Sequence, residues 1–192
     1  MQKIKGIDLK LANGIFEISH GSELKISDGG SPLLVYIENG ILYVAVSPDK
    51  GIGYDVKIVL PENRETEFIN ISLSDGALYS DSVNTGSFDI DIKNSSCEIK
   101  MIKARRINAQ LGKGNAIINA RPLIGASFNC GMGEMTVNLS GNGRGYSLLA
   151  THGTGNIKIN SVEVPREYKC SVKDGAEIDL CCGMGDLKLN YI

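Results

Sequence analysis

The chain has 192 residues, with 20 Lys and Arg against 22 Asp and Glu, and is 42% hydrophobic and 22% charged. These are globular values that exclude a disordered chain, and the net charge of -2 excludes a nucleic-acid or anionic-membrane partner held by bulk electrostatics. With no Trp, 6% aromatics and 23 Gly, the composition is poor for an aromatic-lined pocket and rich in tight turns.

The first sixty residues read as strands. Ile15–Ile18, Glu23–Ile26, Leu33–Ile37, Ile41–Val46 and Asp55–Leu60 carry the alternation or short apolar runs of extended chain. Asn39-Gly40 between two of them is a two-residue hairpin signal, and Pro61 stops the last. Beyond them, Phe88–Ile92, Met135–Leu139, Ile157–Ile159 and Leu187–Tyr191 alternate with period two. Apolar residues are expected inward, and Asp, Thr, Asn and Lys outward. Ile102–Leu111 is too short for a helical stripe and reads as extended. No linker interrupts the chain, so residues 1–192 are expected to form one domain. Its β-rich part, 1–64, is antiparallel and caps the repeats of 65–192.

The repeats are visible directly. Gly112-Lys113-Gly114-Asn115 returns as Gly131-Met132-Gly133-Glu134, as Gly153-Thr154-Gly155-Asn156 and as Gly183-Met184-Gly185-Asp186, each running into a strand. Weaker copies lie at Ser74-Asp75-Gly76 and Thr85-Gly86-Ser87. The four Gly-x-Gly copies start about 19, 22 and 30 residues apart, and such periods point to stacked rungs, because one rung cannot bury its apolar side alone. Glycine is expected at each corner for a sharp bend, often with φ > 0, where a Cβ would obstruct the turn. The expected fold is therefore all-β, mostly a parallel β-helix or solenoid with an antiparallel N-terminal section.

The same residues resemble the bacterial putative adhesin family of domains of unknown function. The likeness lies in the strand closed by Leu-Pro (Val56–Pro61), the serial turn–strand units at Ser74–Gly76 and Thr85–Ser87, and the later Gly-x-Gly-[Asp/Glu/Asn] strands. It covers nearly the whole chain and implies a right-handed solenoid with a surface or envelope role. It brings no catalytic residues. The N-terminus, Met1-Gln2-Lys3-Ile4-Lys5, lacks an apolar leader, and the longest apolar run, Ile41–Val46, is far short of a membrane span. Together with cysteines read as free thiols, this points instead to a cytoplasmic location.

Candidate chemistry is sparse, and no catalytic residue, metal or cofactor is expected. The Gly-x-Gly copies lead into strands, so they are not phosphate cradles. Calcium would have only Asp75 and Asp186 as turn oxygens. Asp89 and Asp91 face the same way, roughly 7 Å apart, and read as a solvated face, with a two-carboxylate mechanism as the sharper alternative. His20 has no implied partner, and His152 is placed in a turn with no nucleophile beside it. Lys100, Lys103, Arg105 and Arg106 form a basic cluster without interleaved aromatics, which argues against nucleic acid. Gly141–Gly145 is a surface loop, with Arg144 the residue in it able to contact a ligand. The five cysteines, Cys97, Cys130, Cys170, Cys181 and Cys182, read as reduced thiols, four of them in apolar-alternating segments as small buried hydrophobes. The expectation is a non-enzymatic binding or scaffold module for a polysaccharide or a surface protein. A carbohydrate-active enzyme and an intracellular or envelope-associated sensory or assembly domain are the alternatives.

Overall fold

The structure, a computed structural model, describes residues 4–27, 33–46, 54–61, 66–141, 143 and 145–192. Its elements are strands only: β1 Gly6–Leu11, β2 Gly14–Gly21, β3 Lys25–Ser27, β4 Leu33–Glu38, β5 Ile41–Val46, β6 Tyr54–Pro61, β7 Thr66–Cys130, β8 Glu134–Leu139, β9 Tyr146–His152, β10 Asn156–Ile159, β11 Val162–Glu163, β12 Glu167–Cys170, β13 Ala176–Cys182 and β14 Asp186–Tyr191. The all-β expectation holds. The strand Gly6–Leu11 went unread, although Ile7, Leu9 and Leu11 alternate cleanly and are buried.

All fourteen strands belong to one mixed sheet centred on β7, from which four arms extend. On the N-terminal side the arms run β1–β5–β4 and β2–β6–β3. On the C-terminal side they run β8–β14–β10–β11 and β13–β9–β12. Pairing along each arm is parallel until its last strand: β4 on β5, β3 on β6, β11 on β10 and β12 on β9 are antiparallel. The expected antiparallel N-terminal section is therefore corrected. The parallel pairs β1–β5 and β2–β6 run through it, and antiparallel strands close both ends alike. For β4 on β5 and β11 on β10 the reversal follows from a two-residue hairpin return, which a parallel neighbour cannot have, whereas β3 and β12 reach their partners from more distant parts of the chain.

The segment named β7 is 65 residues long, and it returns along itself. Thr66 and Thr85 share a hydroxyl hydrogen bond of 3.0 Å, Asn94 donates to Asp75 at 2.9 Å and Lys100 to Asp81 at 2.7 Å. Each of these partners stands 19 residues from the other. Side chains alternate in and out along it, so Ile90 and Ile92, Ile107, Ala109 and Leu111, and Phe128 and Cys130 enter one continuous core. That core also takes Leu187 and Leu189 of β14 and Phe16 and Ile18 of β2. Each fully buried Leu, Ile or Phe contributes roughly 1.5–3 kcal/mol of transfer free energy.

The four Gly-x-Gly copies meet in space. Met132 N–H donates to Gly112 O at 2.8 Å, Met184 N–H to Gly131 O at 2.8 Å and Gly155 N–H to Gly183 O at 2.9 Å. Their spatial order is thus 112, 131, 183, 153, with the last two exchanged relative to the chain. Only Gly114 among these glycines has positive φ, at 104°. The expected reason for glycine is corrected accordingly: it is close approach of stacked backbones. A Cβ on Gly131 would stand 2.8 Å from Gly112 O, and one on Gly153 2.8 Å from Gly183 O. Cβ atoms on Gly133, Gly155 and Gly185 would approach the carbonyl of the next copy more closely still.

Candidate functional site

The outward side of β7 and β13 carries a groove of about 570 Å³. Its polar lining includes Asp89, Arg106, Asn108, Ser127, Glu177 and Asp179. Each side chain stands outward because its strand neighbours, such as Phe88, Ile90, Ile107, Ala126, Phe128, Ile178 and Leu180, are buried on the other side. Asn108 donates to Asp89 Oδ1 at 3.3 Å across the 19-residue spacing. Asp179 is the register partner of Ser127, and Glu177 of Gly125. Gly125 and Gly175 line the groove without side chains, which leaves it open at that end. Three carboxylates and one guanidinium make the lining polar and mildly acidic, suited to hydroxyl groups and to cationic or amide groups on a ligand.

The residues singled out from sequence are distributed unevenly around this groove. Asp89 lines it, and Asp91 lies on the same strand face but is exposed outside it. Of the basic cluster, Arg106 enters the groove, Lys103 and Arg105 are exposed, and Lys100 pairs with Asp81 at 2.7 Å. That hydrogen bond and the Asp81 charge raise the Lys100 pKa. Asn108, Ser127, Glu177 and Asp179 were missed. The signal that could have found three of the groove residues is the 19-residue step itself, which carries Asp89 to Asn108 and on to Ser127.

The remaining candidates do not converge. Asp75 accepts from Asn94, and Asp186 accepts from Asn156 at 3.1 Å. Among the described residues, no group of three or more His, Cys, Asp or Glu is placed to hold a metal ion. His152 ends β9 and is corrected from the turn expected for it; its Nε2 lies 3.4 Å from Val164 O. His20 lies half-buried in β2 beside Leu60. Cys97, Cys130 and Cys182 are buried, whereas Cys170 and Cys181 are exposed, so three cysteines rather than four fill the core. Cys181 and Cys182 fall on opposite faces, as neighbours in one strand must. Asn142 and Arg144 of the glycine-rich loop lie outside the described residues.

Two further surfaces are defined. On the sheet face beside the corners, Asn138 donates to Asn119 Oδ1 at 2.8 Å and Asn190 to Asn138 Oδ1 at 2.9 Å, an amide ladder that holds three strands in register. Near it Lys188 pairs with Glu134, which raises the lysine pKa. At the end of the β1–β5 arm, β4 presents Leu34, Val35, Tyr36 and Ile37, all at least 39% exposed. Among the described residues no helix is long and apolar enough to cross a membrane.

No family model matches the chain, and no curated protein is similar to it. The chain is similar to the solved structure of a putative cell adhesion protein from Clostridium sporogenes, with 18% identity and a TM-score of 0.56 over 100% of this chain and 94% of the other. It also aligns with a putative adhesin from Bacteroides fragilis at 9% identity and a TM-score of 0.39, over 99% of this chain and 93% of that one. The Clostridium likeness shows a shared fold along the full length of this chain. It is consistent with the resemblance to a putative adhesin family of unknown function.

Proposed function

We propose that the chain is a non-enzymatic, adhesin-like binding module, built as one right-handed parallel β-solenoid with a coil of about 19 residues. Its role is to hold an extended polar polymer, a polysaccharide above all, along the outward groove. The parallel arms, the recurrent 19-residue contacts and the stacked glycine corners support the solenoid reading. The observation that carries the binding reading is the line Asp89, Asn108, Ser127 and Asp179, one polar side chain on each successive rung of an open groove. Rungs about 4.8 Å apart present these groups as a regular row. A row of this kind matches a ligand that repeats along its length better than a compact one.

A glycan array with the full chain tests this. The expected result is binding to a defined polysaccharide class that weakens about tenfold in Asp179→Ala and Asp89→Ala, while the unfolding midpoint stays within error. Retained binding in both variants overturns the groove. Release of shortened products from the bound polymer overturns the non-enzymatic reading in favour of a carbohydrate-active enzyme.

One observation favours a second reading, assembly through a sheet edge. β4 pairs only with β5 among the described residues, and its exposed side chains are apolar on both faces. The other three terminal strands are two to four residues long and carry charge at Lys25 of β3, Glu163 of β11, and Glu167 and Lys169 of β12, whereas β4 runs for five uncharged residues before its one charge at Glu38. Charge on an edge strand discourages pairing with another sheet. Sedimentation of the chain and of Val35→Lys tests this reading, which requires an oligomer in the first and a monomer in the second.

A further inference from the structure

Cys130 and Cys182 close two of the repeated corners in the same way. Each is the last residue of its strand, β7 and β13, and each is followed by Gly-Met-Gly and an acidic residue. They are register partners on adjacent parallel strands. Both are buried, at 2% and 1% exposure, so both side chains point into the core from the same side of the sheet. Each thiol reaches the carbonyl of the second glycine of its own corner, Cys130 to Gly133 at 3.2 Å and Cys182 to Gly185 at 3.0 Å. The Cys130 thiol also reaches Asp186 O, just beyond the Cys182 corner, at 3.6 Å.

We propose that Cys130 and Cys182 are a redox pair that closes to a disulfide linking two stacked strands. In-register neighbours on adjacent strands stand about 4.8 Å apart at the backbone, inside the range of about 4.4–6.8 Å that a disulfide spans. The reaction is thiol–disulfide exchange with an oxidant of the disulfide class, such as oxidised glutathione. One thiolate attacks the oxidant and releases its first thiol, and the second attacks the protein sulfur of the resulting mixed disulfide and displaces the oxidant's other thiol. The Cys130 Sγ–Cys182 Sγ bond forms, the oxidant's S–S bond breaks, and two electrons and two protons leave on the two thiols released. Oxidation gives up the two thiol contacts to the corner carbonyls, which are weak donors. It gains closure of the long loop between β7 and β13, which narrows the unfolded ensemble. Burial holds both thiols in the protonated form, so closure belongs to the stage of folding before β13 docks, or to its transient release. The other cysteines lack this arrangement. Cys97 lies on a different inward row, and Cys170 and Cys181 are exposed.

The test is refolding of the whole chain in buffer with oxidised glutathione and, in parallel, with a reductant, followed by thiol titration after denaturation and by non-reducing peptide mapping. The oxidised sample is expected to fall from five titratable thiols to three. It is also expected to yield one peptide joining Cys130 to Cys182, and to unfold at higher denaturant than the reduced sample. The variant Cys170→Ser/Cys181→Ser changes only exposed positions, so it folds and leaves a single thiol, Cys97, after oxidation. Five remaining thiols, a link between any other pair, or a linked form no more stable than the reduced one each overturns the proposal.

Discussion

The two ends of the molecule share a plan and differ in what fills it. Each end extends from β7 as two parallel arms closed by a reversed strand. At the C-terminal end the corners are stacked glycines and the outward face carries an amide ladder. At the N-terminal end the comparable corner is Gly14 against Gly76, with Tyr54 beside it. The outward contacts there are ion pairs such as Lys57–Glu17 at 3.3 Å. The difference teaches where a repeat must be kept and where it can drift. A corner that stacks directly against the next one tolerates no Cβ, so the glycines recur and the sequence shows them. An outward pair can be replaced by another outward pair, so the same plan at the N-terminal end leaves no repeated sequence.

Four measurements sharpen this contrast, in falling order of effect. Gly185→Val puts a side chain against the backbone of Gly133 in the neighbouring corner. It is expected to cost about 3 kcal/mol or more through backbone displacement, measured as a large fall in denaturant midpoint or loss of cooperative unfolding. Alkaline pH is next, and it is read at the cysteines, all of which lie from Cys97 onward. Burial, then the Glu98 charge, pushes the Cys97 thiol from 9.0 to about 12. Burial, then Cys130, takes Cys182 to about 12 as well. Between those values the unfolded chain binds fewer protons than the folded one, so stability is full below about pH 9 and falls as pH rises toward 12. Urea midpoints from pH 8 to pH 11 are expected to show that decline, reduced in Cys97→Ala relative to its own value at pH 8.

Third, Asn138→Ala removes the middle of the amide ladder, leaving Asn119 Oδ1 without its donor and Asn190 without its acceptor. The expected loss is about 1–2 kcal/mol, checked by equilibrium unfolding. Last, Lys57→Met removes half of an ion pair whose side chains are both about half exposed. Its midpoint is expected to stay within about 0.5 kcal/mol, with no dependence on salt beyond that of the parent chain.

Much of the architecture was legible because alternation and glycine spacing are local. Ile102–Leu111 reads as extended from sequence and is extended, with Ala104, Ile107, Ala109 and Leu111 buried. Asn39-Gly40 predicts the turn between β4 and β5, and both residues have the positive φ that such a turn requires. The exchange of the 153 and 183 corners was not legible, because β13 and β14 insert between strands that precede them in the chain. The groove was hidden for the same reason. Asp179 and Ser127 are far apart in sequence, and only the insertion of β13 beside β7 brings them level. The order of chain segments in a stack is set by which edge a strand meets first, and composition carries no record of that.

Paired deletions most directly test the proposed coil of about 19 residues as the unit of the stack. Removing residues 96–114 joins two positions that occupy the same place on adjacent coils, whereas removing residues 96–105 shifts every later side chain out of register. The 19-residue deletion is expected to fold cooperatively with its far-ultraviolet strand signal kept, and the shorter deletion is expected not to. A chain that tolerates the shorter deletion as well as the longer one, or loses its fold equally with both, would contradict that unit.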